Sequence, residues 1–240
     1  MVAFTGRTLA AHWHLDRKMA SVDRAYNKVR SELSEVGLLY DPIDDSEDGY
    51  LDQIRVEVAN LPSLGEAGYV YEETTFIHRL VGYEAGVIYL PADLPATAYV
   101  PGGTLTDVIR HEYAHAWHWL EPEFFETGWF EDIFGSSYDD TDTTPFELWT
   151  DRVSSSRACT KRLKSFRNAR ERDAFLRHDF KKNFVSEYAS TLFCEDFAET
   201  FMCFLRYRNS LERFKSRTGV YLKLKGVERS VRNARRELGL

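Results

Sequence analysis

Residues 111–115 read His-Glu-Tyr-Ala-His, an H-E-x-x-H pattern whose chemically able letters are His111, Glu112 and His115. Positions four apart on an α-helix lie about 40° from each other around the axis and about 6 Å along it. Two histidines placed that way can aim ring nitrogens at one ion, at about 2.0–2.1 Å each for zinc. Glu112 can reach a water on that ion and take its proton as the water attacks a carbonyl. The alternative is a surface helix exposing two histidines and a glutamate, because two of the five letters are free.

The flanking residues predict the helix that must hold these side chains. Pro101, Gly102 and Gly103 interrupt what precedes it, Thr104 is placed as its N-cap, and Asp107 sits where a capping acid belongs. Leu105, Val108, Ile109, Ala116, Trp119 and Leu120 recur at helical spacing as an apolar stripe. Glu121-Pro122 closes the run, since the residue before a proline is pushed out of helical geometry.

A catalytic zinc keeps three protein ligands and one water. The longer pattern H-E-x-x-H-x-x-G-x-x-H needs Gly at 118 and His at 121, where this chain has His118 and Glu121. His118 lies seven residues from His111, about 10.5 Å along the axis, too far for three histidines to meet at one ion. A better third ligand lies in 184–205, where Phe193, Phe197, Phe201, Phe204 and Leu205 recur at helical spacing and would face a core. Glu195 and Glu199 share another face with Met202 and Arg206. A carboxylate pair four apart usually marks a solvated face. Among so many aromatics it is expected to be half-buried, and a buried carboxylate needs a partner. Glu195 is therefore assigned as the third ligand. Glu199 would orient His111 or His115 and fix its tautomer. Tyr188 falls on the same side if the helix reaches back that far. Its phenol would then donate to a developing oxyanion, or serve as an ordinary packing aromatic. One of the acids between 121 and 147 is the alternative third ligand. Cys194 would be turned roughly 100° away from Glu195 and is expected to be buried and not a ligand.

His-Glu-Tyr-Ala-His followed by Y-A-S-T-L-F-C-E-D-F-A-E resembles the gluzincin zinc metallopeptidases. More narrowly, it is similar to the group that includes anthrax lethal factor, the Pro-Pro endopeptidases and many uncharacterised bacterial zinc-binding peptidases. The resemblance implies Zn2+ held by His111, His115 and Glu195, a general base at Glu112, oxyanion support from Tyr188, and Glu199 behind the ligands. It covers 85–120 and 184–206. The chain departs from the group in the 79 residues between His115 and Glu195, and in Leu192, where relatives often carry a polar capping residue.

The remaining elements are read more coarsely. A helix is predicted over 16–36, a strand over 51–58, and one or two strands within 69–90. The last of these, ending at Pro91, is one whose open edge can pair with an extended peptide, again as the resemblance implies. Residues 121–147 mix acids with Phe124, Phe125, Trp129, Phe130 and Phe134 and show no clear element. The predicted fold is α+β and zincin-like: a small mixed sheet with an antiparallel edge strand packed on the H-E-x-x-H helix, then a mostly helical C-terminal half. One catalytic domain over 1–240 is expected, with an α/β lobe over 1–120 and a helical lobe over 121–240.

Composition narrows the setting. No run approaches the 18 apolar residues of a membrane span, and the N-terminus lacks the pattern of a cleaved signal peptide. Cys159, Cys194 and Cys203 are odd in number and fit reduced thiols, not a disulfide framework. A cytoplasmic protein is expected, or one exported without a cleaved signal. Residues 1–150 hold 27 acids and 9 bases, whereas 151–240 hold 11 acids and 22 bases. Such asymmetry predicts halves that pack together or one that faces a charged partner. The expected partner is a protein or peptide substrate. Nucleic acid ranks below it, since the basic stretches carry no stacking signature or zinc-finger spacing; a third and weaker expectation is a protease that uses the basic second half to dock on nucleic-acid-bound partners. Oligomeric state is left open. The leading expectation is a zinc endopeptidase, and the alternative is a catalytically silent zinc-binding regulatory or interaction protein.

Overall fold

A computed structural model of the chain describes residues 6–39, 54–59, 68–70, 86–91 and 103–237. The fold is α+β and mostly helical, with one small sheet. It divides into two compact units, Met1–Leu120 and Glu121–Leu240.

The first unit carries α1 (Gly6–Val36), β1 (Arg55–Ala59), β2 (Gly68–Val70), β3 (Val87–Pro91) and α2 (Leu105–Leu120). Helix α1 starts ten residues before the predicted boundary at 16. The strand order is β1-β3-β2. β1 runs parallel to β3, with Arg55 opposite Val87 and Ala59 opposite Pro91. The three residues of β2 lie antiparallel to Val87–Tyr89. The strand expected to offer an open edge, β3, is thus the middle strand, paired on both sides along 87–89. The rest of the predicted strands, at 51–53 and 71–85, falls outside the described residues.

β3 is central because its side chains leave it nowhere else to go. Val87, Ile88, Tyr89 and Leu90 are all buried, the continuous apolar run of a strand covered on both faces. Helix α2 packs on this sheet and on α1. Its start matches the capping expectation: Thr104 N and Oγ1 each donate to Asp107 Oδ2 at 2.9 Å, and Asp107 N donates to Thr104 Oγ1 at 3.3 Å. Asp107 also accepts from Arg110 Nη1, while Arg110 Nε and Nη2 grip Glu32 of α1 in a fork at 2.7 Å each. All three residues are buried. Burial opposes the Arg110 charge, but the hydrogen bonds and field of Glu32, then Asp107, outweigh it and raise the guanidinium pKa. This network pins α2 to α1 one turn from the histidine pattern.

The second unit is helical: α3 (Pro122–Phe125), α4 (Trp129–Phe134), α5 (Pro145–Ser155), α6 (Arg157–Ser165), α7 (Ala169–Asn183), α8 (Phe193–Tyr207) and α9 (Thr218–Glu237). Single turns of 3-10 helix at Tyr188–Ser190 and Leu211–Phe214 join them. The stretch 121–147, read as lacking clear elements, contains α3, α4 and the start of α5. These helices are short and their aromatics are clustered, so no helical period emerges. Phe125, Trp129, Phe130, Phe134 and Tyr138 pack around Phe197 of α8, with ring centroids 5.1–6.2 Å from it. Thr144 and Glu147 form a capping box at the start of α5. Among the described residues, no helix is long and apolar enough to cross a membrane.

Candidate metal centre

Helix α2 supplies two imidazoles. His111 is buried and His115 half-buried. Their Nε2 atoms lie 3.1 Å apart with the rings inclined at 71°. That separation is close to the ~3.3 Å that two imidazoles share on a tetrahedral zinc with bonds of about 2.0–2.1 Å.

Helix α8 supplies the carboxylate. Phe193, Phe197, Phe201, Phe204 and Leu205 are buried, as their spacing predicts. The helix opens without a side-chain cap: Leu192 is its N-cap, extended at φ −142° and ψ 156°. Glu195 stands in the first turn and is half-buried. One ligand atom from each of His111, His115 and Glu195 lies within 4.8 Å of the others. Two imidazoles and one carboxylate form a donor set typical of catalytic zinc, with a fourth position left for water. The residues therefore fit a divalent metal, and among the described residues this is the cluster able to hold one.

The other predicted residues are placed as follows. Glu112 is buried beside His111 on α2. Glu199 is 1 % exposed, one turn beyond Glu195 on α8. Tyr188 is not on that helix. It lies in the 3-10 turn before it, separated by the extended Leu192, and is 40 % exposed. Two turns of one continuous helix therefore do not connect Tyr188 to Glu195. His118 is half-buried and outside the cluster, and the acids of 121–147 are outside it too. Cys194 is half-buried, not buried, and not a ligand; burial first, then the Glu195 charge, pushes its thiol up to about 12.

Sequence reading missed one group beside the site. Asp196, next to Glu195, is fully buried and ion-pairs with Lys223 of α9. Burial pushes its carboxyl up to about 6 against the pull of Lys223. Lys223 also donates to Asn183 O at 3.1 Å. The available signal was an acid falling on the apolar stripe of α8, which demands a cation somewhere else in the chain.

No model of a known protein family, no curated protein and no solved structure matches this chain.

Proposed function

We propose that the protein is a zinc-dependent metallopeptidase, a gluzincin-type hydrolase of zincin-like architecture acting on a protein or peptide. The observation that supports this reading is the convergence of His111, His115 and Glu195, separated by up to 84 positions in the chain. A bound metal would polarise the scissile carbonyl and make a nearby water acidic at neutral pH.

The chain's own residues do the rest. His111, His115 and Glu195 would hold the ion. Glu112 takes the proton of the attacking water and delivers it to the leaving amine. Tyr188, 40 % exposed, is the proposed donor to the oxyanion. Glu199, buried one turn from Glu195, is proposed to orient a ligand histidine and fix which ring nitrogen carries its proton.

The test is Glu112→Gln. Elemental analysis should find the same metal content as wild type, circular dichroism the same fold, and a peptide-library assay a loss of cleavage of about 10²–10⁴-fold. Undiminished cleavage by this variant would remove the mechanism. Wild-type protein that carries one metal per chain yet cleaves nothing would favour a silent metal-binding protein.

A further inference from the structure

Helices α6 and α7, joined by residues 166–168, form the most basic part of the molecule. Between 157 and 182 there are ten lysines and arginines and three acids. Neither helix has a fully buried residue, and nine of the ten cations are exposed. Among the described residues, none of the ten takes part in an ion pair. Two of the three acids are committed to local structure. Glu171 accepts from Arg167 N at 3.1 Å and Asn168 Nδ2 at 3.2 Å, and Asp179 accepts from Trp149 Nε1 at 2.9 Å.

Charged helices are ordinarily solvated faces in which both signs mix. Here one sign dominates and stays unneutralised. Arg157, Lys161 and Lys164 fall at i, i+4 and i+7 of α6, where like charges repel. The arrangement costs stability unless something anionic covers it.

The shape of the surface narrows the occupant. Cys159, Leu163, Leu176 and Phe180 turn inward onto Trp149, Val153, Phe184 and Ala189. No apolar face is left to sink into a bilayer, as a membrane-surface helix requires. The 15 residues of α7 span about 22 Å, the length of about six phosphates along one strand at ~3.4 Å each. Near the junction, the Arg162 guanidinium lies over Phe166, 5.1 Å from the ring centroid, and Phe166 packs on Phe175. Sequence alone ranks nucleic acid below a peptide partner. It does not show that these cations are exposed together and outside any ion pair.

We propose that α6 and α7 form a docking surface for the phosphodiester backbone of nucleic acid, held by charge and not by base sequence. This goes beyond the metallopeptidase reading and does not depend on it.

The test is fluorescence polarisation with the full chain and labelled 20-mers: duplex DNA, single-stranded DNA and RNA of one sequence. Binding is read without any cleavage, so an inactive metal centre leaves the outcome unaffected. The affinity should fall steeply between 50 and 200 mM salt, with a log–log slope of about −5 on duplex DNA for six contacts. Similar binding to sequences of different composition is expected. Comparison of the three probes shows whether the surface prefers DNA or RNA. Lys164→Glu with Arg170→Glu should weaken binding and reduce the slope by about 2. Lys28→Glu with Arg229→Glu, the same change in net charge elsewhere, should leave the slope unaltered. If the first pair fails to fold by circular dichroism, Lys164→Gln with Arg170→Gln is read in its place and should give the same loss of slope. No binding at 50 mM salt overturns the proposal. So does equal weakening by the control pair. So does stronger competition by poly-glutamate or phosphatidylserine vesicles than by unlabelled nucleic acid.

Discussion

Helices α7 and α8 are both 15 residues long and lie in the same unit, yet α8 buries eleven residues and α7 none. On α8, ionisable groups sit where water is scarce. Asp196 must have Lys223, and Glu195 converges with two imidazoles. On α7, ionisable groups sit in water, where each is individually satisfied and remains open to a multivalent partner. The same side-chain chemistry thus reads as a site in one helix and as a surface in the other, because the cost of leaving a charge unpaired differs by several kcal/mol between them.

The sharpest way to test that contrast is to remove a partner from α8. Lys223→Ala leaves Asp196 without its cation in a fully buried position, where its carboxyl must either hold an unpaired charge or take up a proton. Breaking a buried pair typically costs about 3–5 kcal/mol, and urea unfolding should show a loss of that size. Replacing Asp196 by Ala as well should recover part of it, since both desolvated charges are then gone. A loss no larger than that of an exposed lysine would mean α8 tolerates unpaired charge as α7 does, and the contrast would fail.

A smaller effect is expected at Glu199. Glu199→Gln keeps shape and burial but withdraws a full negative charge. If the carboxylate orients a ligand histidine, metal affinity should drop by about 10–100-fold, read by competition with a chromogenic chelator. Unchanged affinity would place Glu199 outside the metal centre.

How much of this was legible in the sequence depends on how local the cause is. The start of α2 and the stripe of α8 were legible because capping and periodicity act within a few residues. Thr104 with Asp107 and the run from Phe193 to Leu205 behave as their spacing predicts. The His-His-Glu group able to hold a metal could be named from three residue types, although the 79 positions between His115 and Glu195 carry no local signal of their meeting. Non-local pairings were not legible: Arg110 finds Glu32 across 78 positions and Asp196 finds Lys223 across 27. The alignment of Tyr188 with Glu195 was conditional on a continuous helix, and that condition fails for a local reason that spacing cannot show. One extended residue, Leu192, breaks the helix that would have aligned it. The middle position of β3 was hidden similarly, since an apolar run shows that a strand is covered but not which strands flank it.

The smallest predicted effect has the opposite sign. Lys161 stands mid-way along α6, with Arg157 four residues before it and Lys164 three residues after it, all exposed. Lys161→Glu converts two like-charge neighbours into two opposite-charge neighbours. Each such pair is worth about 0.2–0.5 kcal/mol on an exposed helix, against the fold when the charges are alike and for it when they are opposite, so the variant should be more stable than wild type by roughly 1–2 kcal/mol at low salt. The gain should shrink as salt rises, because these charges are in water. Thermal melts at 20 and 300 mM salt would measure it. A stabilised variant with weaker nucleic-acid binding would show that the wild-type residue serves association at the expense of the fold, the reverse of what Lys223 does for α8. A destabilised variant would instead mean that Lys161 has a structural role within the chain, and α6 would join α8 on the buried side of the comparison.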